Sequence, residues 1–252
     1  MLEVRAVSRH FGGVAAVDAV SMAVRRGEIV GVIGPNGAGK TTLFNLIAGT
    51  LKPSGGQILL DGVAVEREPQ YARLGRGLGR TFQIPKPFSQ MTLVENLLVA
   101  AQGQTGERMF ANWFAPGRIR GQEHRNLERA MALLEFVTLD SLADQPARIL
   151  SGGQRKLLEL ARVMMADPAI ILLDEPAAGV NPSLVETIMS RIADINRQGV
   201  ALLIIEHNMD LVSRLCRHVF VMAGGRVLAE GKPADLVRDP RVIEAYLGGG
   251  SS

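Results

Sequence analysis

One octapeptide constrains this chain more than any other stretch. Gly34-Pro35-Asn36-Gly37-Ala38-Gly39-Lys40-Thr41 lies between a short apolar run, Glu28 to Ile33, and a segment of helical apolar spacing that stops at Gly49. The order is strand, glycine-rich loop, helix, and the loop has the G-x-x-x-x-G-K-[ST] spacing of a phosphate-binding loop. Glycines let the backbone curl until successive N–H groups point into one concavity, and the helix that follows adds its positive end. Gly34, Asn36, Gly37, Ala38, Gly39, Lys40, Thr41 and Thr42 are therefore candidate ATP-binding residues. Lys40 is placed to bridge the β- and γ-phosphates, and the Thr41 hydroxyl to ligate Mg²⁺.

A second site of chemistry follows from Ile170 to Leu173, an apolar run that delivers Asp174-Glu175-Pro176 to its end. In open α/β sheets ligands gather at the carboxyl ends of strands, and P-loop enzymes draw a metal-organising aspartate from such a position. Asp174 is the candidate Mg²⁺ carboxylate and Glu175 the candidate base for an attacking water. No Lys or Arg stands beside them in the sequence, so the two adjacent carboxylates require a cation from elsewhere.

The remaining pattern places these motifs in an architecture. Leu2 to Val7, Gln57 to Leu60 and Ala201 to Ile205 read as strands, and Val219 to Met222 with Arg226 to Ala229 as a hairpin turning at Gly224-Gly225. Strands alternating with helices argue for a mostly parallel α/β sheet. From about Gln83 to Ser151 the rhythm breaks: strand patterns stop, and Asn126 to Val137 has helical spacing. A helical insert in an α/β core accounts for this. Phe110, Trp113 and Phe114 within Met109 to Gly117 are read as packing inside that insert.

Composition excludes several classes. The longest apolar run, Val200 to Ile205, falls far short of the roughly 18 residues a spanning helix needs, and the start lacks a secretory pattern. A soluble chain is expected, with any membrane role exerted through a partner. The net charge of +3 is not concentrated in a basic run or an aromatic–basic stripe, so nucleotides rather than nucleic acid are the expected acidic partners. The single cysteine, Cys216 in LVSRLCRHVF, suits a reducing compartment and reads as a buried, inert thiol.

Leu150-Ser151-Gly152-Gly153-Gln154 opens a third motif. It precedes a strongly helical segment, with Ser151 as the expected N-cap, and amounts to a second helix terminus suited to phosphate. One active site could use both termini if the fold brought them together; alternatively, a second subunit could lend its copy.

The three motifs together resemble the ATP-binding cassette (ABC) proteins, in which LSGGQ acts in trans on the nucleotide of a facing subunit. That resemblance implies trans ATP contacts from Ser151, Gly152, Gly153 and Gln154. It implies that Gln83, in Arg80-Thr81-Phe82-Gln83, senses the γ-phosphate and its metal. It makes His207, after the strand ending at Ile205, a γ-phosphate switch touching the catalytic glutamate, and Phe11 the aromatic that stacks on adenine. Asn181 stands where many members carry aspartate. The implied fold is an α/β P-loop NTPase of RecA-like type. Its core covers about 1–82 and 155–230, and includes an N-terminal antiparallel β subdomain. A helical subdomain covers about 83–154, a C-terminal extension about 231–248, and a disordered tail 249–252.

Likeness extends from Leu2 to Gly248. FGGVAAVDAVS, GRTFQIPKPFSQMTLVENLLVA, DEPAAGVNP and EGKPADLVRDPRVIEAYLG are similar to stretches in the ATP-binding subunits of branched-chain amino acid importers. The resemblance implies an ATP-hydrolysing motor using ATP and Mg²⁺, peripheral on the cytoplasmic face of the inner membrane. Its implied partners are a second ATPase subunit (identical or paralogous), two membrane permeases and, indirectly, a solute-binding protein. Importers of urea, amides or other organic solutes and a lipid-export motor share the pattern. A soluble, non-transport ABC protein would usually add a second cassette, a coiled coil or zinc elements, which this sequence lacks.

Overall fold

The computed structural model describes residues 1–81, 87–103 and 116–248. The expectations for Gln83, for the aromatics Phe110, Trp113 and Phe114, and for the tail 249–252 lie outside the described residues. Strands are β1 (Leu2–Phe11), β2 (Val14–Val24), β3 (Ile29–Ile33), β4 (Gly55–Leu60), β5 (Val63–Ala64), β6 (Leu78–Arg80), β7 (Ile170–Asp174), β8 (Ala201–Ile205), β9 (His218–Ala223) and β10 (Arg226–Gly231). Helices are α1 (Lys40–Ala48), α2 (Gln70–Gly75), α3 (Leu93–Leu98), α4 (Pro116–Phe136), α5 (Gly152–Met165), α6 (Pro182–Arg197), α7 (Met209–Leu215), α8 (Pro233–Leu236) and α9 (Pro240–Gly248). They form two units, one of residues 1–83, 168–178 and 192–252, the other of 84–167 and 179–191.

The first unit holds two sheets. Its larger sheet has the order β10-β9-β3-β8-β7-β6, parallel throughout except for the terminal β9–β10 hairpin. Every residue of β3, β7 and β8 is buried, as continuous apolar runs require when a strand is covered on both faces. The smaller sheet, β2-β1-β4-β5, is antiparallel. Asp61 (φ 47°) and Gly62 (φ 79°) both have positive φ between the paired Leu60 and Val63, as a two-residue hairpin turn demands. Apolar side chains from both sheets and from α1 form one cluster that includes Leu2, Val20, Val32, Phe44, Ile58 and Leu172. Three strands go beyond the sequence expectation: β2, β6 and the two-residue β5. In β2 the buried residues alternate at Val20, Met22 and Val24 with exposed ones between, and β6 has only three residues, too few to show a period.

The second unit is helical among its described residues, with α3, α4 and α5 packed on one another. Thr92 and Glu95 close a capping box at the start of α3. Asn96, wholly buried, accepts from the Phe88 N–H and donates to the carbonyls of Phe88, Met91 and Thr92. One side chain thus fixes the loop 88–92.

Helix α1 carries the phosphate-loop lysine at its start, so its other end matters. Helices end with carbonyls that lack intrahelical partners. Here Arg73 of α2, only 1 % exposed, donates through Nη1 to the carbonyls of Leu46 (2.7 Å) and Ile47 (2.6 Å), and through Nε to that of Glu68 (3.0 Å). The guanidinium also opposes the negative end of the helix dipole. Cys216 is buried as expected, and burial, then the nearby Glu206, pushes its thiol up to about 12, so it stays protonated and unreactive at neutral pH. Arg73→Met should lower the unfolding free energy by about 2–4 kcal/mol, read in urea, because three carbonyls lose a charged donor.

Candidate nucleotide site

The phosphate loop leaves the buried end of β3 and enters α1 at Lys40. Gly39 has φ 96°, and a Cβ there would lie 2.3 Å from the Ala16 carbonyl oxygen, so only glycine completes the turn. Lys40 is buried, and its Nζ donates to the carbonyls of Gly34 (2.7 Å) and Pro35 (2.9 Å), which holds the ammonium against the loop. Desolvation lowers its pKa, with Glu175 and Asp174 acting the other way. Asn36, Gly37 and Thr41 are exposed, Thr42 is half-buried, and Gly34 and Ala38 are buried. Burial raises the pKa of the Tyr246 phenol of α9 and the Gly34 backbone acts the other way, so the C-terminal helix lies near this loop.

Strands β7 and β8 pair in parallel with Asp174 opposite Ile205, which sets the turns after both strands side by side. The Asp174 side chain is 3 % exposed, and its Oδ1 has no hydrogen-bond partner. Burial pushes this carboxyl above its ordinary value, and the Arg80 guanidinium, 3.7 Å from Oδ2, opposes the shift. The absence of a basic neighbour in the sequence is therefore corrected by the fold: β6 supplies Arg80 from the adjacent strand. Arg80 in turn donates from Nη1 to Asn45 of α1 at 2.7 Å, linking the phosphate-loop helix to the acidic strand end.

Glu175 has φ 48°, a left-handed conformation that strains a residue with a side chain. Its N–H donates to the Ile205 carbonyl (3.0 Å), and its Oε1 lies 2.8 Å from His207 Nε2. On either side of His207 the sequence does structural work. Asn208 caps α7 by accepting from the N–H groups of Asp210 and Leu211. Glu206 is buried and accepts from the N–H groups of Ala177 and His207.

Phe11 ends β1 with 46 % of its surface exposed, and the Arg9 guanidinium lies over its ring at 4.7 Å. It is a surface aromatic, not a core residue. Leading into α5, Ser151 accepts from the Gln154 N–H (3.3 Å) while the Gln154 side chain accepts from the Ser151 N–H (2.9 Å). The expected N-cap is thus a full capping box that occupies both side chains. Ser151 and Gly152 are exposed; Gly153 is buried, and a Cβ there would lie 2.2 Å from Leu184 Cδ2. Asn181 accepts from the N–H and the hydroxyl of Ser183 at the start of α6, a capping role that asparagine and aspartate fill equally well.

Among the described residues no three His, Cys, Asp or Glu side chains gather as a metal group. A buried carboxylate with an unpartnered oxygen, Asp174 Oδ1, nevertheless suits Mg²⁺. That ion takes one or two protein ligands and completes its octahedron from phosphates and water. Arg80, Asn45 and Tyr246 were not readable as site residues, since no motif marks them and only the fold brings them there.

A phosphate loop at the end of β3 beside an acidic strand end defines a P-loop nucleotide-binding protein. The family model for the ABC transporter matches residues 17–178, and that for the branched-chain amino acid ATP-binding cassette transporter matches 226–251. The chain is 43 % identical over 248 residues to a probable branched-chain amino acid transport ATP-binding protein, LivG, of Archaeoglobus fulgidus, covering 98 % of this chain and 95 % of that protein. It is 41 % identical over 249 residues to the high-affinity branched-chain amino acid transport ATP-binding protein BraF of Pseudomonas aeruginosa, covering 98 % of each. The crystal structure of a nucleotide-free ATP-binding cassette from an ABC transporter superposes with a TM-score of 0.84 at 36 % identity, over 97 % of this chain and 98 % of that one. The chain belongs to the ABC transporter ATP-binding family and is an ATPase of that family. Gly39→Ala should weaken ATP binding at least about tenfold, measured by equilibrium binding, because the added carbon meets a backbone oxygen.

Proposed function

We propose that the chain is the ATP-hydrolysing motor of an importer for branched-chain amino acids. The observation that carries the hydrolytic reading is the 2.8 Å contact between Glu175 and His207 at the strand ends beside Asp174. In this reading Glu175 accepts a proton from the attacking water, and His207 holds that carboxylate in line while reaching the γ-phosphate. Lys40 spans the β- and γ-phosphates, the N–H groups of Gly34 and of Asn36 to Thr42 cradle them, and Phe11 stacks on adenine. Thr41, Asp174 and Gln83 hold Mg²⁺, and Gln83 also belongs to the catalytic set. When bound, Mg²⁺ neutralises charge on the phosphate oxygens.

The residues Ser151, Gly152, Gly153 and Gln154 are assigned to the nucleotide of a facing cassette, a reading favoured by the exposure of Ser151 and Gly152 at a helix N-terminus. The facing cassette is an identical or paralogous subunit. No helix among the described residues is long and apolar enough to cross a membrane. Two permeases therefore form the pathway, and the motor lies on their cytoplasmic face. The loop fixed by Asn96 presents Phe88 and Met91 as exposed apolar side chains, which suits docking to a permease helix. A solute-binding protein completes the system outside the membrane. The names of the relatives and the match at residues 226–251 favour a branched-chain cargo.

Glu175→Gln should bind ATP normally, hydrolyse it at least about a hundredfold more slowly, and accumulate as a closed dimer in size-exclusion runs with ATP. Hydrolysis at the unaltered rate overturns the general-base role. Ser151→Arg should abolish turnover and leave ATP binding intact; retained turnover overturns the trans site. Leucine uptake by vesicles carrying the co-purified permeases tests the cargo.

A further inference from the structure

A buried carboxylate is rare unless something compensates its desolvation. Glu206 is 7 % exposed, and the mechanism above gives it no role. Its two oxygens are each used: Oε1 accepts from the Ala177 N–H at 3.1 Å and Oε2 from the His207 N–H at 3.1 Å. One of those donors lies two residues beyond Glu175, and the other belongs to the residue that touches Glu175. The carboxylate therefore joins the turn after β7 to the turn after β8.

That join sits where the backbone is strained. Glu175 occupies a left-handed conformation, which persists only if its surroundings hold it. Three backbone N–H groups of the turn are bound, and one bond is internal to it, from the Ala178 N–H to the Glu175 carbonyl at 3.1 Å. The Glu175 N–H is bound to the Ile205 carbonyl, and the Ala177 N–H to Glu206. Of these three bonds, the one to Glu206 is the side-chain restraint, and it ties the middle of the turn to the residue before His207.

We propose that Glu206 is a positioning residue for ATP hydrolysis, clamping the turn 175–178 to the His207 backbone so that Glu175 and His207 meet. The proposal rests on the assignment of Glu175 and His207 given above. Glu206 touches neither substrate nor metal and acts only through those two side chains.

The test is a cycle of Glu206→Ala, His207→Ala and the double variant in the purified chain, with Glu175→Gln measured alongside. Glu206→Ala should lower kcat by about tenfold or more, with KM for ATP and the ATP dissociation constant within about twofold of the parent. The double variant should be no slower than His207→Ala within about twofold, because the clamp works through the histidine. Glu206→Gln keeps the volume and only one full acceptor, so its kcat should lie between those of parent and alanine variant; it carries the test if the alanine variant does not fold. Losses that multiply in the double variant, or an unchanged kcat in Glu206→Ala, overturn the proposal. A fall in ATP affinity that matches the fall in kcat does so too. If Glu175→Gln and His207→Ala also hydrolyse ATP at the parental rate, the site assignment itself is at fault, not the clamp alone.

Discussion

The register of the parallel sheet is the constraint on which everything else depends. Val32 of β3 pairs with Ile205 of β8, and Ile205 with Asp174 of β7, so three strands end along one line. The phosphate loop, the acidic turn and the histidine turn all start from that line. A slip of one residue in any strand would turn its side chains to the other face and move its turn along the edge. Strands β3 and β8 are apolar throughout and β7 is apolar up to Asp174, and close packing on both of their buried faces opposes such a slip.

Along this line the chain accepts arrangements that oppose stability. Lys40 and Asp174 are charged groups taken out of water, and Glu175 holds a strained backbone. Each is compensated locally. Loop carbonyls receive the ammonium, Arg80 faces the aspartate, and the Ile205 carbonyl and Glu206 hold the turn. Such concentrations of buried charge and strain belong to sites where chemistry needs groups poised rather than relaxed.

Much of this was legible in the sequence, for identifiable reasons. The phosphate loop reads directly because its glycines answer to backbone geometry, as the φ of Gly39 illustrates. Asp174 and Glu175 read because the four-residue apolar run Ile170 to Leu173 suits a buried strand, whose end is where ligands collect. Ser151 read as a cap, and the reciprocal bond from Gln154 followed the known spacing. Arg80 did not read, since its partners Asn45 and Asp174 are brought to it by sheet order rather than by spacing. Glu206 did not read for a similar reason: no motif marks it, and only its burial and its bonds to two turns distinguish it. Asn181 looked like a departure from an aspartate pattern, yet its cap on Ser183 makes the two residue types equivalent in the structural half of that role.

The anchoring of α1 by Arg73 carries a consequence for how such a motor divides its labour. A helix whose tail carbonyls are gripped by an internal guanidinium cannot slide along its axis to follow a departing phosphate. The lysine at its head is a stator, held at its post through the tail that Arg73 of α2 grips.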